Sequence, residues 1–257
     1  MFSLRGARAG ALRAALAFVC ACACAPAANA QTPRAGVCKL TLPPGVKAET
    51  PDPSGQPAGI RLTVKDSGGT PVRRKRFFLL ERSAASSAGS DTTAPRREDF
   101  FKAASPELRK WLGEHDCDSL YCPEYEAEYA RAVETVPEFR RAYDEGFRRY
   151  GNKSLALRWV TVYFPLRDER TEYYRSKRAW LGAASKRAGA VASVMTDETG
   201  TAYFTNLKPG SYYVSNLLPL GADGLLWDCA VTTAPQLSRL LYSVTVEMTA
   251  PKPAAAK

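Results

Sequence analysis

From Val194 to Val214 the chain reads V-M-T-D-E-T-G-T-A-Y-F-T-N-L-K-P-G-S-Y-Y-V, an order that few folds accommodate. An apolar run enters a turn at Thr196-Asp197-Glu198-Thr199-Gly200, a second run follows through Ala202, Phe204 and Leu207, and Lys208-Pro209-Gly210 turns the chain into a third run at Tyr212 and Val214. Glycine, proline and aspartate supply the backbone angles and local hydrogen bonds of tight turns, whereas the β-branched and aromatic residues between them favour extended chain. Three strands and two turns in about twenty residues predict a small antiparallel sandwich, with Asp197 and Glu198 in a hairpin turn.

Shorter runs elsewhere read the same way. Cys38-Lys39-Leu40-Thr41-Leu42 is an alternating strand followed by a proline-punctuated connection through Pro43-Pro44-Gly45 and Pro51-Asp52-Pro53-Ser54-Gly55, the pattern of an edge strand and a surface loop. Ile60, Leu62 and Val64 share one face of the next strand, Asp66-Ser67-Gly68-Gly69-Thr70-Pro71 turns the chain, and Phe77-Phe78-Leu79-Leu80 reads as a buried strand. A last strand is predicted over Leu240 to Met248, and 251–257 reads as a short disordered tail.

Val64, Asp66, Gly69, Pro71 and Val72, with Thr196-Asp197, Gly200, Phe204, Leu207, Pro209-Gly210, Tyr212 and Val214, resemble the carboxypeptidase regulatory-like domain, a transthyretin-like β-sandwich. About 110 residues separate the two matching halves, where that family has a short strand and loop. The resemblance implies a non-catalytic accessory fold of exported bacterial proteins that binds carbohydrate or a partner protein in some members. It does not imply zinc carboxypeptidase chemistry, which belongs to a different domain. This chain has a single histidine and no H-x-x-E.

The N-terminus carries Arg5, Arg8 and Arg13 without an acid, then an apolar stretch from Ala14 through Ala25, then Ala28-Asn29-Ala30. A basic start, a short apolar middle and small residues three and one before Gln31 describe a cleaved secretory signal over 1–30, so a secreted or periplasmic protein is expected after cleavage near Ala30. Three of the seven cysteines go with the signal, leaving Cys38, Cys117, Cys122 and Cys229. An even number in an exported chain points to two disulfides. Of three pairings, Cys38 with Cys229 and Cys117 with Cys122 is favoured, because Cys38 and Cys229 flank the two halves of the predicted sheet. The second pair requires a turn over Asp118 to Tyr121, since cysteines five apart on a continuous helix cannot bridge.

Residues 83–95 form a Ser/Ala/Thr-rich linker without apolar pattern, expected to be mobile. Three helix starts follow, Ser105-Pro106-Glu107, Cys122-Pro123-Glu124 and Val136-Pro137-Glu138, each with proline where a missing donor costs nothing and glutamate at the positive helix end. Tyr125, Tyr129 and Val133, and then Phe139, Tyr143, Phe147 and Tyr150, recur every three or four residues, and such aromatic stripes are read as core. Gly151 is the expected stop. Leu155 to Phe164 fits both periods and is read as helix, ended at Pro165. Asp168 to Ala184 reads as a long amphipathic helix.

The fold class expected is therefore α+β: an antiparallel β-sandwich, transthyretin-like or Ig-like, from 31–84 and 188–250, interrupted by a helical insertion over 96–187. The formal charge is +10, and losing the three arginines of the signal leaves +7. A basic exported surface meets an envelope protein, a polysaccharide or an anionic surface; nucleic acid is not an expected partner. The quartet Arg73, Arg74, Lys75 and Arg76 is a candidate anion site, though strand alternation would divide it between two faces. Tyr173, Tyr174 and Trp180, or Tyr212 and Tyr213, are candidate glycan-binding rings. His115, Cys117 and Cys122 form the one constellation with metal or hydrolase potential, but their spacing is not that of common zinc sites and oxidation of the cysteines is the simpler reading. There is no G-x-S-x-G, Walker or dinucleotide glycine pattern. The expectation is an exported non-enzymatic binding or scaffolding module without a cofactor or catalytic residues. A carbohydrate-binding module and an envelope hydrolase or metal protein are the alternatives.

Overall fold

A computed structural model of the chain describes residues 34–42, 57–87, 94–115, 126–163, 165–220, 224–233 and 244–251. The signal-like segment, Cys117, Cys122, Tyr125, Leu240 to Ser243 and the tail from residue 252 lie outside the described residues.

The chain is α+β with largely antiparallel sheets. The strands are β1 (Arg34–Ala35), β2 (Val37–Thr41), β3 (Ala58–Val64), β4 (Arg76–Leu80), β5 (Ala190–Met195), β6 (Thr201–Leu207), β7 (Gly210–Ser215), β8 (Leu225–Leu226), β9 (Asp228–Thr233) and β10 (Val244–Thr249). One sheet has the order β2-β10-β3-β6, a second has β5-β4-β7-β9, and β1 and β8 form a two-stranded ribbon. Two ladders depart from the antiparallel expectation: β10 runs parallel to β3, with Val246 opposite Leu62, and β1 runs parallel to β8. Each four-stranded sheet draws on both ends of the chain. In the first, Ile60 lies opposite Phe204; in the second, Phe77 lies opposite Val194 and Leu79 opposite Val214.

Alternation explains the core. Ile60, Leu62 and Val64 of β3, Phe77 and Leu79 of β4, Phe204 of β6, Val214 of β7, Val231 of β9 and Val246 and Met248 of β10 gather into one apolar cluster around the buried Trp227. Each fully buried side chain of this size contributes about 1.5–3 kcal/mol. The other face of β4 is also buried, because Phe78 and Leu80 pack against Ala184, Ala188 and Leu217. This two-sided burial is why the strand reads as an unbroken apolar run.

The expected hairpins in 194–214 are corrected. β5 lies in the second sheet, β6 in the first and β7 in the second again, so each turn carries the chain from one sheet to the other. The turn after β3 does the same on the way to β4.

Between β4 and β5 run α1 (Ala84–Ser87), α2 (Arg97–Phe100), α3 (Pro106–Glu114), α4 (Glu126–Thr135), α5 (Pro137–Tyr150), α6 (Lys153–Val162) and α7 (Arg167–Arg187). Ser105 caps α3, accepting a hydrogen bond from the Leu108 amide at 3.1 Å. Gly151 ends α5 in the left-handed region at φ 63°. Residues 155–162 are helical throughout, as part of α6. Phe101, Leu108, Trp111, Tyr129, Val133, Phe139, Val160, Tyr173 and Tyr174 form a helical core. The 21 residues of α7, about 30 Å long, reach from that core to the outer face of β4, where Trp180, Leu181 and Ala184 join Phe78 and Leu80.

Part of the linker is anchored rather than mobile. Ser83 donates its hydroxyl to the Asp228 carboxylate, and the amides of Ala84 and Ala85 donate to its two oxygens at 3.1 Å each. One β9 carboxylate thereby fixes the turn that leaves β4. Residues 88–93 lie outside the described residues.

Candidate functional site

One end of the paired sheets is built from the same turn used twice. In Asp66-x-x-Gly69-Thr70 the aspartate carboxylate accepts hydrogen bonds from the Gly68 and Thr70 amides at 2.9 and 2.8 Å, and the Gly69 amide donates to the Asp66 carbonyl at 3.1 Å. In Asp197-x-x-Gly200-Thr201 the carboxylate accepts from the Thr199 and Thr201 amides at 2.8 and 2.9 Å, and the Gly200 amide donates to the Asp197 carbonyl at 3.0 Å. Both glycines adopt positive φ, 78° and 72°. The hydrogen bonds from the Thr201 amide and the Thr199 hydroxyl hold the Asp197 carboxyl below its ordinary range. Each arch sends one strand to each sheet, and the strand entering one arch pairs antiparallel with the strand leaving the other, β3 with β6 and β5 with β4, the arrangement of a local two-fold. The Val64 amide donates to the Gly200 carbonyl at 2.9 Å, locking one arch to the other. These carboxylates build turns and leave little for acid–base chemistry.

The basic quartet beside the arches is divided, though not by the alternation the sequence implied, since only Arg76 lies in β4. Arg74 sits in the left-handed region at φ 49°, and both it and Arg73 reach Glu198, at 3.0 and 3.8 Å. Lys75 is buried and its amide donates to the Thr196 hydroxyl at 3.0 Å. Arg76 points to the opposite side of β4 from Phe77 and donates to the Ser193 hydroxyl at 3.1 Å.

The candidate glycan rings are placed differently from the expectation. Tyr173 and Tyr174 are each 6% exposed, meet at 63°, and belong to the helical core, so neither offers a face to a sugar. Trp180 packs against the sheet and Tyr213 against the same cluster. The aromatic stripe on α5 divides along its length: Phe139 is fully buried, whereas Phe147 and Tyr150 are 42% and 44% exposed. Facing them on α6, Trp159 stacks on Tyr163 at 3.7 Å and meets Tyr150 edge-on at 5.5 Å. The Arg149 guanidinium lies 4.9 Å from the Trp159 ring centre and 5.9 Å from that of Tyr150. Close packing of the helices makes this cluster, because Gly146 lies against Trp159 and Ala156 with no room for a Cβ. Arg148, Lys153 and Arg158 are exposed nearby in the sequence, and no acid occurs between residues 146 and 167.

His115 caps the end of α3. Its ring stacks on Trp111 at 4.1 Å, with Nδ1 2.9 Å from the Trp111 carbonyl and Nε2 3.6 Å from Glu128. Among the described residues no three His, Cys, Asp or Glu side chains gather as metal ligands. Cys38 and Cys229 are joined. Among the described residues no helix is long and apolar enough to cross a membrane.

No family model matches the chain, and no curated protein does. Among solved structures, chains of the pilus backbone protein RrgB from Streptococcus pneumoniae match at TM-scores of 0.27, 0.25 and 0.21 and identities of 11%, 11% and 10%. They cover 77%, 76% and 68% of this chain and 30%, 31% and 34% of their own, so this chain spans about a third of their length. A TM-score below one half does not establish a shared fold.

Proposed function

We propose that the chain is an exported, non-enzymatic binding or scaffolding module of the bacterial cell envelope, built as a β-sandwich interrupted by a helical insertion. The observation that carries this reading is the Cys38–Cys229 bond. It joins β2, at the edge of one sheet, to β9, at the edge of the other. A structural disulfide of this kind belongs to an oxidising compartment, in keeping with the signal-like first thirty residues. The carboxylates of Asp66, Asp197 and Asp228 are engaged in holding turns. Expression of residues 1–257 in a Gram-negative host tests the reading. Mature protein beginning at Gln31 is expected outside the cytoplasm, and an unprocessed cytoplasmic precursor would contradict it.

A second reading, carbohydrate binding, is favoured by the exposed rings of α5 and α6. Tyr150 and Tyr163, both exposed, supply ring faces beside Arg149, with the buried Trp159 between them as support, a combination suited to an acidic polysaccharide. Electrophoresis through a gel containing polygalacturonate tests it. Retardation of the wild type and release by Tyr163→Ala, which leaves the net charge unchanged, are expected. Equal retardation of both proteins would mean that charge alone acts.

A further inference from the structure

Where α7 passes the start of β4, two elements about 100 residues apart bring three cations together. Arg76, Lys177 and Arg178, with Phe78, Leu181 and Gly182, line a recess of about 210 Å³. Strand alternation puts Arg76 and Phe78 on the same face of β4, and a single helical turn presents Lys177, Arg178 and Leu181. Lys177 is 4% exposed, its ammonium 5.9 Å from the Tyr174 ring centre, so the stem is packed and the charge held in place. The hydrogen bond to Ser193 orients the Arg76 guanidinium. No carboxylate lines the recess.

We propose that this recess is an anion site that takes a phosphate ester bearing an apolar substituent. Two guanidinium groups and an ammonium match phosphate better than they match a lone carboxylate, because each fork can donate two parallel hydrogen bonds to tetrahedral oxygens. Phe78 and Leu181 provide an apolar wall beside the charges, so the ester's substituent gains by leaving water. The site is independent of the α5–α6 rings and of the export reading.

Calorimetric titration of residues 31–257 with phenyl phosphate, inorganic phosphate and phosphatidylcholine vesicles doped with phosphatidic acid tests the proposal. Expected are tighter binding of phenyl phosphate than of inorganic phosphate, a loss of about tenfold or more in Arg178→Ala, only partial recovery in Arg178→Lys, which keeps the charge and loses the fork, and no change in Lys39→Ala, on the exposed edge strand β2. Arg178 is exposed on the helix, so an unchanged circular dichroism spectrum separates lost binding from lost folding. If vesicles bind in an Arg178-dependent way and phenyl phosphate does not, the ester is a lipid headgroup; the reverse identifies a free phosphate ester. Equal binding by Arg178→Ala and wild type, no preference over inorganic phosphate, or no binding of any probe would overturn the proposal.

Discussion

Replacing Cys38 by alanine isolates the contribution of the inter-sheet bond. Cys38 is exposed while Cys229 is buried, so the substitution breaks the cross-link and leaves the core side of β9 filled. The bond closes a sequence separation of 191 residues. For a loop of that length the chain-entropy relation gives roughly 18 cal/mol/K of restricted unfolded-state entropy, about 5 kcal/mol at 25 °C. Against a total stability of about 5–15 kcal/mol that is a third or more. At about 2–4 °C per kcal/mol for a chain of this size, the thermal midpoint falls by about 10–20 °C. Urea unfolding without reductant, followed by tryptophan fluorescence, measures it. The midpoint should fall and the slope rise, because the unfolded chain without its cross-link exposes more surface. A loss below about 1 kcal/mol with an unchanged slope would refute the reasoning, since no long loop would then be closed in the wild type.

Three further outcomes follow from particular contacts. Burial pushes the Glu138 carboxyl up, but hydrogen bonds from the Ser105 amide and hydroxyl, both 2.8 Å, and the charge of Arg141 bring it below its ordinary 4.5. Its contribution is complete above that value and is lost as the pH falls through the lowered one. Glu138→Gln should cost about 1–3 kcal/mol at pH 7 and flatten the acid limb of the stability–pH curve. Gly200→Ala should cost more than Gly69→Ala in chemical denaturation. Both strain a positive φ, but at Gly200 a Cβ would stand 2.5 Å from the Val64 carbonyl, while at Gly69 nothing lies within 4 Å; about 1 kcal/mol is expected at Gly69 and at least twice that at Gly200. Asp228→Ala removes the acceptor for Ser83, Ala84 and Ala85, so limited proteolysis between residues 83 and 95 should accelerate severalfold.

β3 was legible because its apolar alternation is strict: Ile60, Leu62 and Val64 alternate with Arg61 and Thr63, and all three face the core. The helix starts were legible from the residues that satisfy orphan amides, with Ser105 the clearest case. What a turn does after reversing the chain was not, because Thr196 to Gly200 has the same composition whether its strands pair with each other or enter different sheets. The repeat Asp66-x-x-Gly69-Thr70 and Asp197-x-x-Gly200-Thr201 was the available signal, since one turn used twice implies one geometry twice. The α5 stripe misled because its period reports a shared face, not how far along the helix that face stays covered. Phe139 meets Trp111 and Tyr129, whereas Tyr150, edge-on to the buried Trp159, extends to the surface. The meeting of Arg76 with Lys177 and Arg178 had no sequence signal, because it depends on where α7 crosses β4.

Peptide mapping of the secreted or periplasmic protein under non-reducing conditions tests the central claim directly, namely that segments from opposite ends of the chain are clasped into one body. A fragment containing Cys38 should be recovered linked to a fragment containing Cys229, and reduction should separate them. Recovery of either cysteine as a free thiol, or bonded to Cys117 or Cys122, would contradict it.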